Sequence, residues 1–171
     1  MNLPSGKEPV IAGFEIEDAE SWRLHDSVVD QDLRYFEAQT GGARFPRRTD
    51  LNPVDIKSIL PEVALLDPVY DANGFVVDVK ISLLGSKLDN FYGSMTGKLL
   101  SQFPVQAICM RIMEACKHCI ESKKPIVVSA DTLSDRKNYL AVTVLYVPMS
   151  DDGVVIDRIF IHNQVKSRHL E

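Results

Sequence analysis

The sequence predicts an α+β fold: a five-stranded antiparallel sheet with helices on one face and a helical extension at the N-terminus. Three observations predict it. Residues 75–83 alternate between apolar and polar side chains, which is typical of a half-buried strand. Residues 105–120 place apolar side chains along one face of a long helix. Segments 126–133, 139–147 and 154–162 are apolar and separated by turn residues, as in an antiparallel meander.

Length and charge limit the class of protein. The 171 residues suit one domain of ordinary size. The 24 acidic and 19 basic residues leave a formal net charge of −5, which argues against general nucleic-acid binding. The longest apolar runs have the length of strands, so we expect no membrane insertion. The three cysteines are an odd number in one short segment, which favours a reducing compartment; we therefore expect a cytoplasmic protein.

The chain divides into three parts. Residues 1–60 are predicted to be a flexible leader followed by a helical extension. Residues 61–163 form the compact domain, and residues 164–171 form a C-terminal tail. The leader is predicted because the first fourteen residues contain two prolines and two glycines without any periodicity. The tail ends in Leu170-Glu171, which is typical of a tag remnant.

The helical extension carries the clearest local signals. Asp26 and Ser27 can cap a helix that runs to about Thr40, where Gly41 supplies a left-handed end. Residues 15–37 hold eight acidic and two basic residues, so this part of the chain is strongly acidic. Its apolar stripe consists of Val29, Leu33 and Phe36. We expect the helix to pack outside the domain and to act as a dimerisation or relay element.

The remaining elements follow from changes of period. Residues 62–67 and 75–83 flank a turn and predict a hairpin, and a helical pattern follows Gly85. Ser101 or Gln102, followed by Phe103-Pro104, is predicted to open the long helix. Its apolar face consists of Val105, Ile108, Cys109, Ile112, Cys116, Cys119 and Ile120. Arg111, Glu114 and His118 are predicted to point away from that face.

Several spaced motifs resemble bacterial single-domain PAS-like sensory and regulatory proteins. They are GGARFPRRTDLNP at 41–53, ILPEVALLD at 59–67, LGSKL at 84–88, FYG at 91–93, MTGK at 95–98, VPMSDDG at 147–153 and ID at 156–157. They run in order from about Leu33 to Ile161. The resemblance implies a non-catalytic module that acts through ligand binding or protein–protein interaction. We expect the signal to leave through a separate signalling protein.

The resemblance also places any ligand pocket between the long helix and the inner face of the sheet. Its candidate lining residues are Phe91, Tyr92, Leu99, Cys109, Ile112, Met113, Cys116, Val128, Ala130, Val142, Val144 and Ile159. A small apolar ligand would suit them. The alternative is a filled core and a purely structural docking domain, which the scarcity of inward polar groups favours. A small enzyme in the same concavity is a third interpretation, although no enzyme motif is present.

No cofactor or metal is predicted. Cys116 and Cys119 share the apolar helix face, no second cysteine pair could complete a zinc site, and packing explains them better. Flavin-binding PAS photosensors carry an Asn-Cys-Arg tripeptide, and this sequence has none. The position that supplies a haem-ligating histidine in other PAS domains falls near Met113, and methionine seldom holds haem iron alone.

A basic cluster follows the acidic helix. Arg44, Arg47 and Arg48 could form an anion-binding or partner-docking patch, because guanidinium groups bind carboxylates and phosphates in a planar fork. The alternative is a solvated loop whose arginines pair with acidic residues of the preceding helix.

Overall fold

The core of the molecule is an antiparallel sheet, which a computed structural model describes over residues 14–131 and 140–167. Within these ranges the strands are β1 (Phe14–Asp18), β2 (Val63–Tyr70), β3 (Val76–Leu84), β4 (Ile126–Asp131), β5 (Leu140–Met149) and β6 (Arg158–Ser167). The helices are α1 (Ala19–Trp22), α2 (Ser27–Thr40), α3 (Ser86–Tyr92) and α4 (Gln106–Ser122). The strands lie in the order β1-β4-β5-β6-β2-β3, and neighbouring strands are antiparallel. The predicted α+β class and antiparallel sheet are confirmed.

The described sheet has six strands, one more than predicted. The additional strand is β1, at the start of the acidic segment. Phe14 and Ile16 alternate there with glutamates and pack against the core. Two apolar positions in five residues are too few to mark a strand on their own. The hydrogen-bonded pairing with β4, in which Phe14 lies opposite Ala130, makes this segment a strand.

β6 continues past the predicted end of the domain at residue 163. It pairs with β5 along its whole length, as far as Leu140 opposite Ser167. Residues 164–167, predicted as tail, therefore belong to the sheet. The predicted tag remnant lies outside the described residues, as does most of the predicted leader.

Helices cover both faces of the sheet, whereas one covered face was predicted. We call the side under α3 and α4 the front face and the side under α2 the back face. Side chains alternate along β6, so Ile159 and Ile161 pack with the front core and Phe160 with the back core. The sheet is thus the middle layer of three.

The apolar stripe of α2 packs on the back face. Val29, Leu33 and Phe36 are 0%, 4% and 4% exposed, and the Phe36 ring meets Phe160 edge-on, with ring centroids 4.9 Å apart. The homodimer prediction required these side chains to be available to a second copy of the chain. They are not available, because the chain's own sheet covers them.

Both ends of α2 and the C-terminal end of the long helix lie where the sequence predicted them. The Asp26 carboxylate accepts hydrogen bonds from the first backbone amides of α2, and Gly41 ends that helix at φ 66°. The long helix α4 begins at Gln106, later than the predicted start at Ser101 or Gln102, because those residues form a separate short turn; it ends at Lys123, which adopts φ 55°. None of the described helices combines the length and the apolar character needed to span a membrane.

Candidate functional site

The front face contains a cavity of about 430 Å³ between the sheet and the N-terminal half of α4. All six described strands contribute to its walls, and α3 closes one side. The lining is formed mainly by aliphatic and aromatic side chains. The filled core that the sequence favoured is therefore not observed on this face.

Seven predicted pocket residues line this cavity. They are Phe91, Tyr92, Ile112, Val128, Ala130, Val142 and Val144. Five others do not line it: Leu99, Cys109, Met113, Cys116 and Ile159. The cavity follows the stripe Val105, Ile108 and Ile112 of α4. Cys109, Met113 and Cys116 lie one step around the helix and pack into the solid part of the front core.

The polar end of the cavity is formed by Asn163 of β6 and Tyr92 of α3. Asn163 is 5% exposed, and its Nδ2 donates a hydrogen bond to the Tyr92 hydroxyl at 2.9 Å. The Asn163 Oδ1 is buried and has no hydrogen-bond partner in the described structure. Burial raises the pKa of the Tyr92 phenol, so this end of the cavity is uncharged at neutral pH. Sequence reasoning missed Asn163 because the predicted strand ended at residue 162.

Arg111 of α4 also lines the cavity. The sequence predicted that it points away from the core, yet it is 9% exposed and its guanidinium lies 5.8 Å from the centroid of the Phe14 ring. Phe14 belongs to β1, a strand that the sequence did not predict, so this neighbour of Arg111 was not foreseen.

The back face carries a chain of polar side chains whose centre, His162 and Asp32, is buried. His162 of β6 is 1% exposed; its Nδ1 lies 2.5 Å from Asp32 Oδ2, and its Nε2 lies 3.4 Å from Glu62 Oε1. Glu62 in turn accepts a hydrogen bond from Lys87 at 3.0 Å. We call Asp32, His162, Glu62 and Lys87 the His162 chain. It connects α2, the sheet and α3.

The two carboxylates control the charge of His162. Burial opposes the charged imidazolium, but the hydrogen bond to Asp32 and the negative charges of Asp32 and Glu62 raise the pKa of His162 above its ordinary value. The contact between His162 and Asp32 joins α2 to the sheet, and the carboxylates favour its charged form. Sequence reasoning placed His162 at a strand end and did not identify its partners, because residues 32, 62 and 162 are distant in the chain.

The predicted basic patch is engaged in local contacts. Arg44 binds Asp50 through both carboxylate oxygens, at 2.6 and 3.1 Å. The Arg47 backbone amide donates to the same carboxylate, and the Arg48 side chain donates to a backbone carbonyl. The helix acids do not pair with these arginines: Asp30 and Glu37 bind Arg23 instead.

A second, more open concavity of about 510 Å³ lies beside the C-terminal end of α2. Arg44, Glu37 and Lys123 are among its walls, so both signs of charge are present. Two of these groups already have ion-pair partners, Arg44 with Asp50 and Glu37 with Arg23. It is a surface groove, and the less open, more apolar cavity of the front face is the better candidate for a ligand site.

The burial of the cysteine thiols indicates a structural role in packing. All three are free, and Cys116 and Cys119 are fully buried. Burial raises the pKa of Cys116 to about 12, which keeps the thiol protonated. Within residues 14–131 and 140–167, no cluster of three His, Cys, Asp or Glu side chains could hold a metal ion.

The comparison with known families agrees with this architecture. A family model described as a PAS domain matches residues 25–160, from the start of α2 into β6. No curated protein and no solved structure matches the chain. PAS domains are sensory and regulatory modules that commonly mediate protein–protein interactions. Because the match covers most of the sequence, the chain belongs to the PAS-domain family.

Proposed function

We propose that this protein is a non-catalytic sensory module that binds a small, mostly apolar molecule in its front cavity and passes the signal to a separate signalling protein. The cavity carries this proposal. Packed protein interiors contain few voids larger than a water molecule, whereas small-molecule pockets span roughly 300–1,000 Å³. A volume of about 430 Å³ lies within that range.

The composition of the lining supports binding rather than catalysis. Among the described lining residues the one charged side chain is Arg111, and no carboxylate or imidazole faces the cavity. General acid–base catalysis needs such a group within hydrogen-bond reach of the substrate. The acid–histidine pair that could supply it, Asp32 and His162, lies behind the sheet, where both side chains are buried. The proposal needs no cofactor.

We propose β6 as the route of the signal, because adjacent residues of this strand serve the two faces. Asn163 faces the cavity, and His162 holds α2 through Asp32. A ligand that binds one arrangement of β6 better than another changes the docking of α2, since only differential affinity shifts a conformational equilibrium. The exposed side of α2 then meets the partner. A dimer through Val29, Leu33 and Phe36 is not part of the proposal, because these side chains are buried. We also propose a cytoplasmic location, which the odd number of cysteines favours.

The proposed ligand binding is tested by filling the cavity with an aromatic side chain. N-Phenyl-1-naphthylamine, an uncharged fluorescent probe, is titrated into the full chain and into Ala130→Phe, whose ring would occupy the cavity. Val77→Phe is the matched control, because Val77 is exposed on the same sheet. We expect one probe per chain, lost in Ala130→Phe and retained in Val77→Phe.

Unchanged probe binding by folded Ala130→Phe contradicts the proposal. Thermal melting checks the fold of each variant. If Ala130→Phe does not fold, Ile108→Phe on the opposite wall of the cavity serves the same purpose.

A further inference from the structure

The buried carbonyl oxygen of Asn163 lacks a partner among the residues that the structure describes. Buried polar atoms in folded proteins are almost always paired. This one belongs to Asn163, a residue that lines the apolar cavity and is 95% buried. It therefore marks the place where a hydrogen-bond donor from outside the chain fits.

In the structure the amide nitrogen of Asn163 faces the neighbouring tyrosine. Asn163 Nδ2 donates to the Tyr92 hydroxyl, so Oδ1 is the atom left over. Tyr92 is itself held by edge-on contacts with Phe91 and Phe103, at centroid distances of 4.7 and 6.0 Å. The acceptor thus sits in a prepared position, which lowers the cost of binding a ligand group.

The rest of the cavity requires an apolar ligand body. Around the acceptor the walls are aliphatic and aromatic, and the cation Arg111 stands beside Phe14 of β1. β1 is separated from β6 by β4 and β5, which corresponds to about 14 Å between the two strands. The acceptor therefore lies on a strand well separated from the one beside the cation.

We propose that the front cavity selects uncharged apolar molecules that carry a hydrogen-bond donor, a hydroxyl or an N–H, and that Asn163 Oδ1 accepts that donor. The inference rests on the proposed ligand-binding function and names the class of ligand. A ligand without a donor leaves Oδ1 buried and unpaired, and one neutral hydrogen bond corresponds to about tenfold in affinity.

Three naphthalenes of similar shape test the proposal by calorimetric titration of the full chain. 1-Naphthol has a donor, 1-methoxynaphthalene has only an acceptor, and 1-methylnaphthalene has neither. We expect 1-naphthol to bind about tenfold more tightly than the other two. Equal affinities, or tighter binding of 1-methoxynaphthalene, would overturn the proposal.

Variants of β6 assign the effect to one side chain. Asn163→Leu removes the acceptor at similar volume, and we expect the preference for 1-naphthol to disappear. Gln164→Leu is the matched control: it is the next buried polar residue of β6 and does not line the cavity, so the preference should remain. A preference that survives in Asn163→Leu overturns the assignment. If Asn163→Leu does not fold, Tyr92→Phe releases the amide, and we expect the preference over 1-methoxynaphthalene to narrow.

Ala130→Phe separates this inference from the proposed function. If the three probes bind equally and Ala130→Phe abolishes their binding, the cavity is a ligand site without the donor preference. If Ala130→Phe binds 1-naphthol as the parent chain does, or if the parent chain binds no probe, the proposed function fails together with the inference.

Discussion

The two faces of this sheet use the same strands but are completed in opposite ways. On the back face, α2 places Val29, Leu33 and Phe36 against the strands and leaves them almost without exposure. On the front face, α3 and α4 leave a cavity of about 430 Å³. The difference teaches that one sheet can be closely covered by a helix on one side and border a cavity on the other.

The buried polar groups of the two faces also differ, in how completely their hydrogen bonds are satisfied. His162 and Asn163 are neighbours on β6, and both are buried. Both ring nitrogens of His162 face carboxylates, whereas Asn163 has one paired and one unpaired amide atom. A satisfied buried network supports the fold, and an unsatisfied group marks a site for something else.

The largest expected contrast concerns aromatic residues of the two faces. Phe36→Ala removes a ring packed against Phe160 and should lower the free energy of unfolding by about 3–5 kcal/mol. Phe91→Ala, at the partly exposed wall of the front cavity, should cost less than half as much, because that ring has less packing to lose. Urea denaturation of both variants measures the difference. Equal losses would show that the front face is as tightly packed as the back face.

A smaller contrast concerns the buried polar groups. Asp32→Ala leaves His162 without its closest carboxylate and should lower the free energy of unfolding by about 2–4 kcal/mol. Asn163→Leu should change it by no more than about 1 kcal/mol, because the substitution also removes an unpaired buried oxygen. Urea denaturation again measures both variants.

The control for this pair is Asp30→Ala on the same helix. Asp30 binds Arg23 and Arg34 at the surface, and exposed ion pairs contribute less than about 1 kcal/mol. A loss in Asp32→Ala no larger than in Asp30→Ala would mean that the His162 chain does not hold α2.

The smallest expected effect is a pH dependence. The folded-state pKa of His162 is raised above its ordinary value near 6.5, so its contribution to stability is complete below that pH and is lost as the pH rises through the folded-state pKa. The free energy of unfolding should therefore fall on the alkaline side of pH 6.5, and His162→Gln should flatten that dependence. His118→Gln, at an exposed position of α4, should leave it unchanged. A parent chain that becomes more stable over this range would contradict the assignment.

The local elements were predictable because their signals are local. Asp26 and Gly41 mark the two ends of α2, and the alternation of apolar and polar residues marks β3. The structure confirms both elements. The antiparallel sheet followed from the strand and turn patterns, and the seven cavity residues from the pocket position that the resemblance to PAS-like proteins implies. β1, the buried side of Arg111 and the position of Asn163 did not, because each depends on a segment far away in the sequence.

The sequence by itself determined which side chains of each element are apolar, and hence that α2, α4 and the strands each have a buried face. What covers each face was decided only in the tertiary structure. The stripe of α2 is equally suited to a second chain or to this chain's own sheet, and the contact with Phe160 selects the sheet. Glu62 and His162 become neighbours when β2 pairs with β6, and Asp32 joins them only when α2 docks on the sheet. The reason is physical: periodicity follows from backbone geometry over a few residues, whereas burial, pairing and cavities depend on contacts between elements that the chain brings together from a distance.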